Sequence, residues 1–376
     1  MSDAPFRVLA IDGGGVRGVI PATILAAIEE RIDPYKQLKE CFDLVAGSST
    51  GALLACSVAY EIRSRKVLEI YKNSCGKVFP KSLRMSAAFR PKYSAEGLKE
   101  VLHEVLGGRK FGDAACRVLV TSFDVYNRRP ILFKSWDKDH TQLKAVDVCL
   151  ASASAPTYFP AHRMTIRDAE VSLVDGGVVA NNPSDLALAE AQGLAGGDHP
   201  LGHFRVVSLG TGRYIRRLEP GNWGWLRWAS PIIDVMFGAG SEAVDLALKR
   251  RLPEECYLRC QVRLEGANDA MDDGSKDNLN KLISITQAHL DSEGREKLVK
   301  RVLEMCGVKD RDQMRRETEE LKSRIVARGL LLAKFQSLSK QAEERLGQLS
   351  LEDLEKLKKM VARDEARSLR ELGLED

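Results

Sequence analysis

The sequence contains no long hydrophobic run, and no stretch approaches the roughly 18 consecutive apolar residues of a membrane-spanning helix. Net charge is also small, +4 over 376 residues, which is too little for the whole surface to attract a nucleic acid polymer. The eight cysteines are scattered, and only Cys256 and Cys260 lie close together, at a spacing poorly suited to zinc. We therefore expect reduced thiols, no metal, no cofactor and a cytoplasmic location. Because residues 1–5 lead directly into a predicted strand, we expect no secretory leader.

The last 70 residues lack whole residue classes. Residues 307–376 contain no proline, tryptophan, tyrosine or cysteine, and positive and negative charges are nearly balanced there. Apolar residues recur at helical spacing without sustained heptads, which predicts two or three amphipathic helices. We therefore predict a domain over residues 1–306 and a C-terminal helical extension over 307–376. The apolar positions that carry this prediction are Leu321, Ile325, Leu346, Leu349, Leu354, Leu357, Met360 and Val361.

The rest of the chain alternates between strand-like and helical segments. Hydrophobic residues make up 44% of the sequence, enough for a sizeable core. Alternating elements predict an α/β fold with a mostly parallel sheet and helices on both faces, in which ligands bind at the carboxyl ends of the strands. The predicted strands cover residues 6–11, 42–46, 117–122, 131–133, 171–174 and 204–209, and the first two predicted helices cover about 21–32 and 50–60.

A Gly-x-Ser-x-Gly motif at residues 47–51 follows the second predicted strand and precedes a helix. In this context the motif indicates a nucleophile, because the turn lifts the serine out of the strand. Gly47 and Gly51 are needed where a Cβ would collide with neighbouring backbone. Ser49 would then lie at a helix N-terminus, which favours developing negative charge.

A glycine-rich loop, residues 12–18, follows the first predicted strand. Successive glycines let backbone N–H groups converge on one anionic point, either the oxyanion of acyl transfer or a phosphate. The same residues match the dinucleotide fingerprint, so a nucleotide-binding protein, either a dinucleotide oxidoreductase or an actin-like sugar kinase, is the alternative. A dinucleotide-binding enzyme would need an acidic residue at the end of the second strand, but Gly47 and Ser48 are there. A kinase phosphate loop would need Thr, Ser or Lys at the positions of Val16 and Arg17. Arg17 could hold an anion or pair with a carboxylate.

A third motif, Asp175-Gly176-Gly177, ends the predicted strand 171–174. A serine nucleophile needs a base, and histidine is the usual one. None of the six histidines ends a strand inside a glycine-rich turn, and His162 is the least improbable of them. We therefore predict a Ser49–Asp175 dyad. The six are His103, His140, His162, His199, His203 and His289.

These three motifs, in this order and spacing over residues 6–215, resemble those of the patatin-like phospholipases, which are related in fold to cytosolic phospholipase A2. The resemblance implies a three-layer α/β/α fold, a Ser-Asp dyad and hydrolysis of acyl esters of glycerolipids without a metal. It implies that Ser49 is the nucleophile and Asp175 the base. A non-catalytic binding protein that kept the fold is a further alternative, and the intact dyad argues against it. The residues implied for the oxyanion loop are Gly13, Gly14, Gly15, Arg17 and Gly18.

Two basic and apolar segments suggest partners. Between residues 69 and 96 every charge is positive, including Lys81, Arg84 and Arg90, which fits peripheral contact with phospholipids of the inner membrane. The alternative is a solvated connector with a few buried apolar residues. Residues 213–228 combine arginines with three tryptophans.

Residues 210 to about 265 resemble a subgroup of bacterial patatin-like phospholipases that act in antiphage defence. The resemblance implies a cyclic nucleotide activator. The apolar stripes of residues 307–376 need a partner surface, either the α/β core or another copy of the chain, and we expect a homo-oligomer.

Overall fold

The computed structural model describes residues 4–80, 90–213, 221, 224, 228, 231–292, 295–363 and 368–375. The chain divides into two compact units, Met1–Val308 and Lys309–Asp376. The predicted limits of independent domains, 1–306 and 307–376, stay predictions. Within the described ranges, no helix is long and apolar enough to cross a bilayer.

The first unit is built on a sheet that has eight strands among the described residues, in the order β5-β6-β3-β2-β1-β7-β8, with β4 also paired to β3. Strands β1, β2, β3, β7 and β8 are parallel to their neighbours in this group. Strands β4, β5 and β6 pair antiparallel. The bounds are β1 (Phe6–Ile11), β2 (Leu44–Gly47), β3 (Arg117–Asp124), β4 (Arg129–Lys134), β5 (His162–Ile166), β6 (Ala169–Asp175), β7 (Phe204–Leu209) and β8 (Tyr257–Cys260).

Helices follow most of the strands. Pro21 lies in the first turn of α1, where its missing N–H has no partner to lose. Among its described residues, the helices of this unit are α1 (Val19–Ile32), α2 (Thr50–Ala59), α3 (Ser64–Val78), α4 (Glu96–Leu106), α5 (Ala145–Ala153), α6 (Gly177–Ala180), α7 (Ser184–Ala195), α8 (Pro231–Arg251), α9 (Lys276–Ser292) and α10 (Arg295–Met305).

Both faces of the sheet are covered. Val8 and Ala10 point to one face and pack with residues of α7 and α8, including Leu188 and Leu248. Successive side chains of a strand alternate between faces, and Leu9 on the other face is equally buried. Helices α2 and α5 pack on β2 and β3 there. The predicted three-layer α/β/α fold is therefore confirmed.

The sheet is less parallel than predicted, because β4 to β6 form hairpins. Strands β5 and β6 are joined by Arg167 and Asp168 alone, and both have positive φ angles, 50° and 61°. Such a two-residue turn matches the twist of paired antiparallel strands. The turn reverses the chain, so β6 runs antiparallel to β5. Strand β6 also pairs antiparallel with β3, which departs from the mostly parallel sheet that was predicted.

The second unit is helical, in line with the predicted C-terminal extension. It contains α11 (Arg311–Phe335), α12 (Lys340–Gln348) and α13 (Leu351–Ala362) within its described part. Side-chain oxygens of Asp310, Ser339 and Ser350 accept hydrogen bonds from backbone N–H groups in the first turns of these helices. Apolar residues of the three helices and Leu374, which follows them, share one small core, formed by Ala327, Leu331, Ala342, Leu346, Leu354, Leu357, Val361 and Leu374.

Candidate active site

Ser49 lies in the turn between β2 and α2, with a φ of +53°. That conformation is unfavourable for a residue with a side chain and costs about 1–3 kcal/mol. The flanking glycines make the turn sterically feasible, because a Cβ on Gly47 would lie 2.1 Å from the carbonyl oxygen of Gly51. The backbone N–H of Ser49 donates to Ser152 Oγ on α5 at 2.9 Å. The turn is therefore held from a neighbouring helix.

Asp175 ends β6 and faces the serine. Ser49 Oγ donates to Asp175 Oδ2 at 2.7 Å, and the Gly177 N–H donates to Asp175 Oδ1 at 2.7 Å. Both carboxylate oxygens thus have a donor, as a buried polar group requires. The structure brings the two predicted residues of the dyad into direct contact.

The contact arises because β2 and β6 share one edge of β3. On its other edge, β3 is paired with β4 from Leu119 to Asp124. On the shared edge, β2 ends with Gly47 opposite Val120, and the antiparallel β6 ends with Asp175 opposite Ser122. The two strands therefore run toward each other and end almost face to face.

Burial controls the charge of Asp175. Removal from water raises the pKa of this carboxyl to about 7, and the hydrogen bonds from Ser49 and Gly177 oppose the rise only in part. A carboxyl with a pKa near 7 can both accept and return a proton at neutral pH.

Some residues of the glycine loop can donate their backbone N–H groups to a ligand, and others hold the loop in its conformation. In the described part of the chain no acceptor takes the N–H of Gly14 or Gly15, whereas the Gly13 N–H donates to the carbonyl of Asn181 at 3.0 Å. Arg17 Nε donates to the carbonyl of Gly14 at 3.3 Å, so this side chain holds the loop itself. A Cβ on Gly18 would lie 2.3 Å from Thr50 Oγ1. Gly14 and Gly15 are thus the residues of the predicted loop with N–H groups available to an oxyanion.

A buried ion pair fixes the start of this loop. Arg259 on β8 donates through Nη1 to Asp12 Oδ1 at 2.8 Å and through Nη2 to Asp12 Oδ2 at 2.5 Å. The side chains of Arg259 and Asp12 are only 4% and 2% exposed. Arg259 also donates to Ser208 Oγ on β7 at 2.8 Å. Arg259 carries no local sequence signal for this role, because its partner is 247 residues away along the chain.

Asn181, just after α6, joins the loop to the segment that carries Asp175. Its backbone carbonyl accepts from Gly13, and its Nδ2 donates to Ser241 Oγ at 3.0 Å. Thr211 Oγ1 donates to the carbonyl of Gly13 at 2.7 Å. The glycine loop is therefore fixed by residues that follow both β6 and β7.

An apolar cavity opens at the dyad. It measures about 840 Å³, counted to its open mouth, and it extends between α2, α3 and α4. Gly15, Ser49 and Asp175 line it, and most of the remaining wall is aliphatic or aromatic. The wall between the helices includes Leu53, Ile70, Val78, Leu98, Val101 and Leu102.

None of the described residues lining this cavity is a histidine. His162 lies on β5, and its Nε2 is 3.7 Å from Asp147 Oδ1. Burial lowers the pKa of His162, which favours the neutral ring.

The two basic and apolar segments are described only in part. Lys81 and Arg84, like most of residues 213–228, lie outside the described residues. Lys92 is described, and it pairs with Asp272, which also accepts from the Tyr93 hydroxyl at 2.7 Å.

Comparison with known proteins assigns the family. The family model for patatin-like phospholipase matches residues 9–188. Patatin-like protein 2 of Oryza sativa subsp. indica is 32% identical over 339 residues, which cover 76% of this chain and 83% of that protein. This chain belongs to the patatin-like phospholipase family. Patatin-like protein 2 of Arabidopsis thaliana is likewise 32% identical, over 73% of this chain and 80% of its own length.

Two solved structures are more distant from this patatin-like phospholipase. VipD from Legionella pneumophila has 11% identity and a TM-score of 0.40, with 96% of this chain and 86% of that chain covered. Human GIVD cytosolic phospholipase A2 has 9% identity and a TM-score of 0.47, with coverage of 81% and 61%. These similarities are too low to add to the family assignment.

The buried pair yields a stability prediction. Arg259→Leu should lower the free energy of unfolding by about 3–5 kcal/mol, because it leaves the Asp12 carboxylate buried without a counter-charge. Urea unfolding followed by circular dichroism measures the change. The double variant Asp12→Leu/Arg259→Leu should recover part of the loss.

Arg251→Leu is the matched control, because its ion pair with Asp185 is nearly half exposed. Exposed pairs contribute about 1 kcal/mol or less. Equal effects of the two arginine substitutions would contradict a special role for the buried pair.

Proposed function

We propose that this protein hydrolyses acyl ester bonds of glycerophospholipids, with Ser49 as nucleophile and Asp175 as general base. The observation that carries the proposal is the 2.7 Å hydrogen bond from Ser49 Oγ to Asp175 Oδ2 at the wall of an apolar cavity. A serine hydroxyl is a weak nucleophile until a base takes its proton. Asp175 is the only carboxylate among the described residues that line the cavity.

The reaction proceeds in two halves. Ser49 Oγ attacks the ester carbonyl while Asp175 takes the hydroxyl proton, and a tetrahedral oxyanion forms. Asp175 then gives this proton to the leaving alkoxide, which leaves an acyl group on Ser49. In the second half Asp175 takes a proton from water, the resulting hydroxide attacks the acyl-enzyme, and the fatty acid departs as Ser49 regains its proton.

The N–H groups of Gly14 and Gly15 stabilise the oxyanion in this proposal. Neither has another acceptor among the described residues, and Gly15 lines the cavity beside Ser49. Removal of one such donor typically costs about 3–4 kcal/mol of transition-state stabilisation. The positive end of α2, which begins at Thr50, favours the same charge.

The shape of the cavity supports a lipid acyl group as the part of the substrate bound there. Its aliphatic walls exclude water and offer few hydrogen-bond partners, which suits a hydrocarbon chain rather than a polar acyl group. The ester at the end of such a chain would lie at Ser49.

The dyad predicts the effect of two substitutions. Ser49→Ala and Asp175→Asn should each lower kcat on a soluble p-nitrophenyl ester by about 10⁴-fold or more, since each removes one half of the reacting pair. Ser49→Ala should also lose labelling by a fluorophosphonate. His162→Ala is the control and should keep its rate within about twofold. An inactive His162→Ala together with an active Asp175→Asn would contradict the dyad.

The pKa of Asp175 predicts the pH dependence. The base must be ionised, so kcat/KM for a soluble ester should rise with pH and level off above about 7, the pKa of Asp175. The rate should therefore fall as the pH falls from 8 to 6, because the carboxyl becomes protonated in this range. Stopped assays at constant ionic strength measure the profile. A midpoint near 4, typical of an exposed aspartate, would contradict control by the buried carboxyl.

We further propose peripheral membrane contact, activation by a cyclic nucleotide in antiphage defence, and self-assembly through residues 307–376. The basic segment between residues 69 and 96 supports the first, and the resemblance of residues 210–265 supports the second. Unregulated hydrolysis would damage the membrane of the cell itself, which also favours a regulator.

Hydrolysis of anionic phospholipid vesicles with and without a panel of cyclic oligonucleotides tests the regulator. We expect a low basal rate and stimulation of at least about tenfold by one of them. Added salt should lower the rate, because electrostatic attachment is screened. A high basal rate that no cyclic oligonucleotide changes would contradict activation by such a ligand. Ser49→Ala is the control for hydrolysis that does not depend on the proposed nucleophile.

A further inference from the structure

A second apolar groove lies beside the catalytic pair. It measures about 930 Å³ to its open mouth and runs between α6 and α8. None of its described lining residues carries a charge, and its largest side chains are Val178, Val179, Ile233, Met236, Phe237 and Val244.

The groove presents apolar side chains to solvent. Among the lining residues, Val178 is 41% exposed and Met236 is 59% exposed. Large exposed apolar side chains that converge on one concave surface mark a binding site for an apolar group. The groove is therefore suited to a hydrocarbon ligand.

This groove adjoins the cavity that contains Ser49 and Asp175. The Phe237 ring lines both the groove and the cavity that contains Ser49. Gly177, which also lines the groove, donates its N–H to Asp175 Oδ1 at 2.7 Å. A Cβ on Gly177 would lie 2.7 Å from the Phe237 ring, so the ring packs directly against this glycine. The groove thus begins two residues after the proposed base.

The proposed reaction determines which part of the substrate lies beside Asp175. Asp175 must return a proton to the leaving oxygen, so the leaving alcohol has to be next to this carboxylate. The acyl chain that is cleaved occupies the cavity between α2, α3 and α4. The rest of the substrate, carried by the leaving alcohol, therefore lies on the side of Asp175 where the groove begins.

We propose that the groove binds the second hydrocarbon chain of a two-chain lipid, the chain that departs with the leaving alcohol. This inference rests on the proposed function and adds to it the place where the second chain of the lipid binds, beside the proposed base. Burial of the second chain against Val178, Met236 and Phe237 removes apolar surface from water on both sides.

Substitution of Met236 tests the groove. Met236→Asp should lower the preference for a diacyl phospholipid, measured as the ratio of its kcat/KM to that of the matching lysophospholipid, by about tenfold. A loss of this size corresponds to the apolar contact of roughly two methylene groups of the second chain. Both lipids are presented in the same detergent mixed micelles, and p-nitrophenyl butyrate is measured in parallel. Met236→Leu keeps an apolar side chain and should restore the ratio.

Leu246→Asp is the matched control. Leu246 lies on the same helix, is 64% exposed and does not line the groove, so its substitution should leave the ratio unchanged. An unchanged ratio in Met236→Asp would overturn the inference. Equal losses on both lipids with an intact butyrate rate would also overturn it, in favour of a micelle-contact surface. Failure of the proposed function is distinct: the parent protein would then show no hydrolysis that Ser49→Ala abolishes.

Discussion

The contact between Ser49 and Asp175 depends on two strands that end against the same edge of β3. Because β4 occupies the opposite edge, β2 and β6 have one edge to share, and they approach each other along it. In a parallel sheet, site residues usually meet because they lie at the carboxyl ends of neighbouring, hydrogen-bonded strands. Here the approach is end to end, so the length of each strand sets the distance between the two side chains. One residue more or less in either strand would change the 2.7 Å bond.

The site is held in a state that the isolated chain would avoid. Ser49 keeps a positive φ, and Asp175 is buried where ionisation is costly. Because the pKa of Asp175 is raised above its unfolded value of 3.8, the folded state binds this proton more tightly, and stability falls as the pH rises from about 4 to about 7. The buried central strands of the sheet and the helices packed on them offset that cost. Packing in the core thus maintains a carboxyl that can exchange protons at neutral pH.

Much of this arrangement is predictable from local sequence. The strand at 204–209 has its predicted bounds, and residues 47–51 form the predicted turn between a strand and a helix. The direction of β6 was not predictable in this way, because Arg167 and Asp168 are not the usual residues of a two-residue hairpin turn. Arg259 was missed for a different reason: an ion pair between distant strands leaves no local pattern.

The distant contacts matter because glycines cannot fix their own position. Gly14 and Gly15 have no side chains to pack, so their orientation must come from neighbours: Asp12 held by Arg259, and the carbonyl of Gly13 held by Thr211. Preorganised donors stabilise an oxyanion without reorganisation during the reaction. No residue of β7 or β8 is among the described residues lining the cavity, yet Arg259 on β8 and Thr211 just after β7 set the geometry of this loop, on which the proposed reaction depends. The sequence motifs contain the proposed reacting residues, whereas β8 and the segment after β7 fix the loop that carries the proposed oxyanion donors.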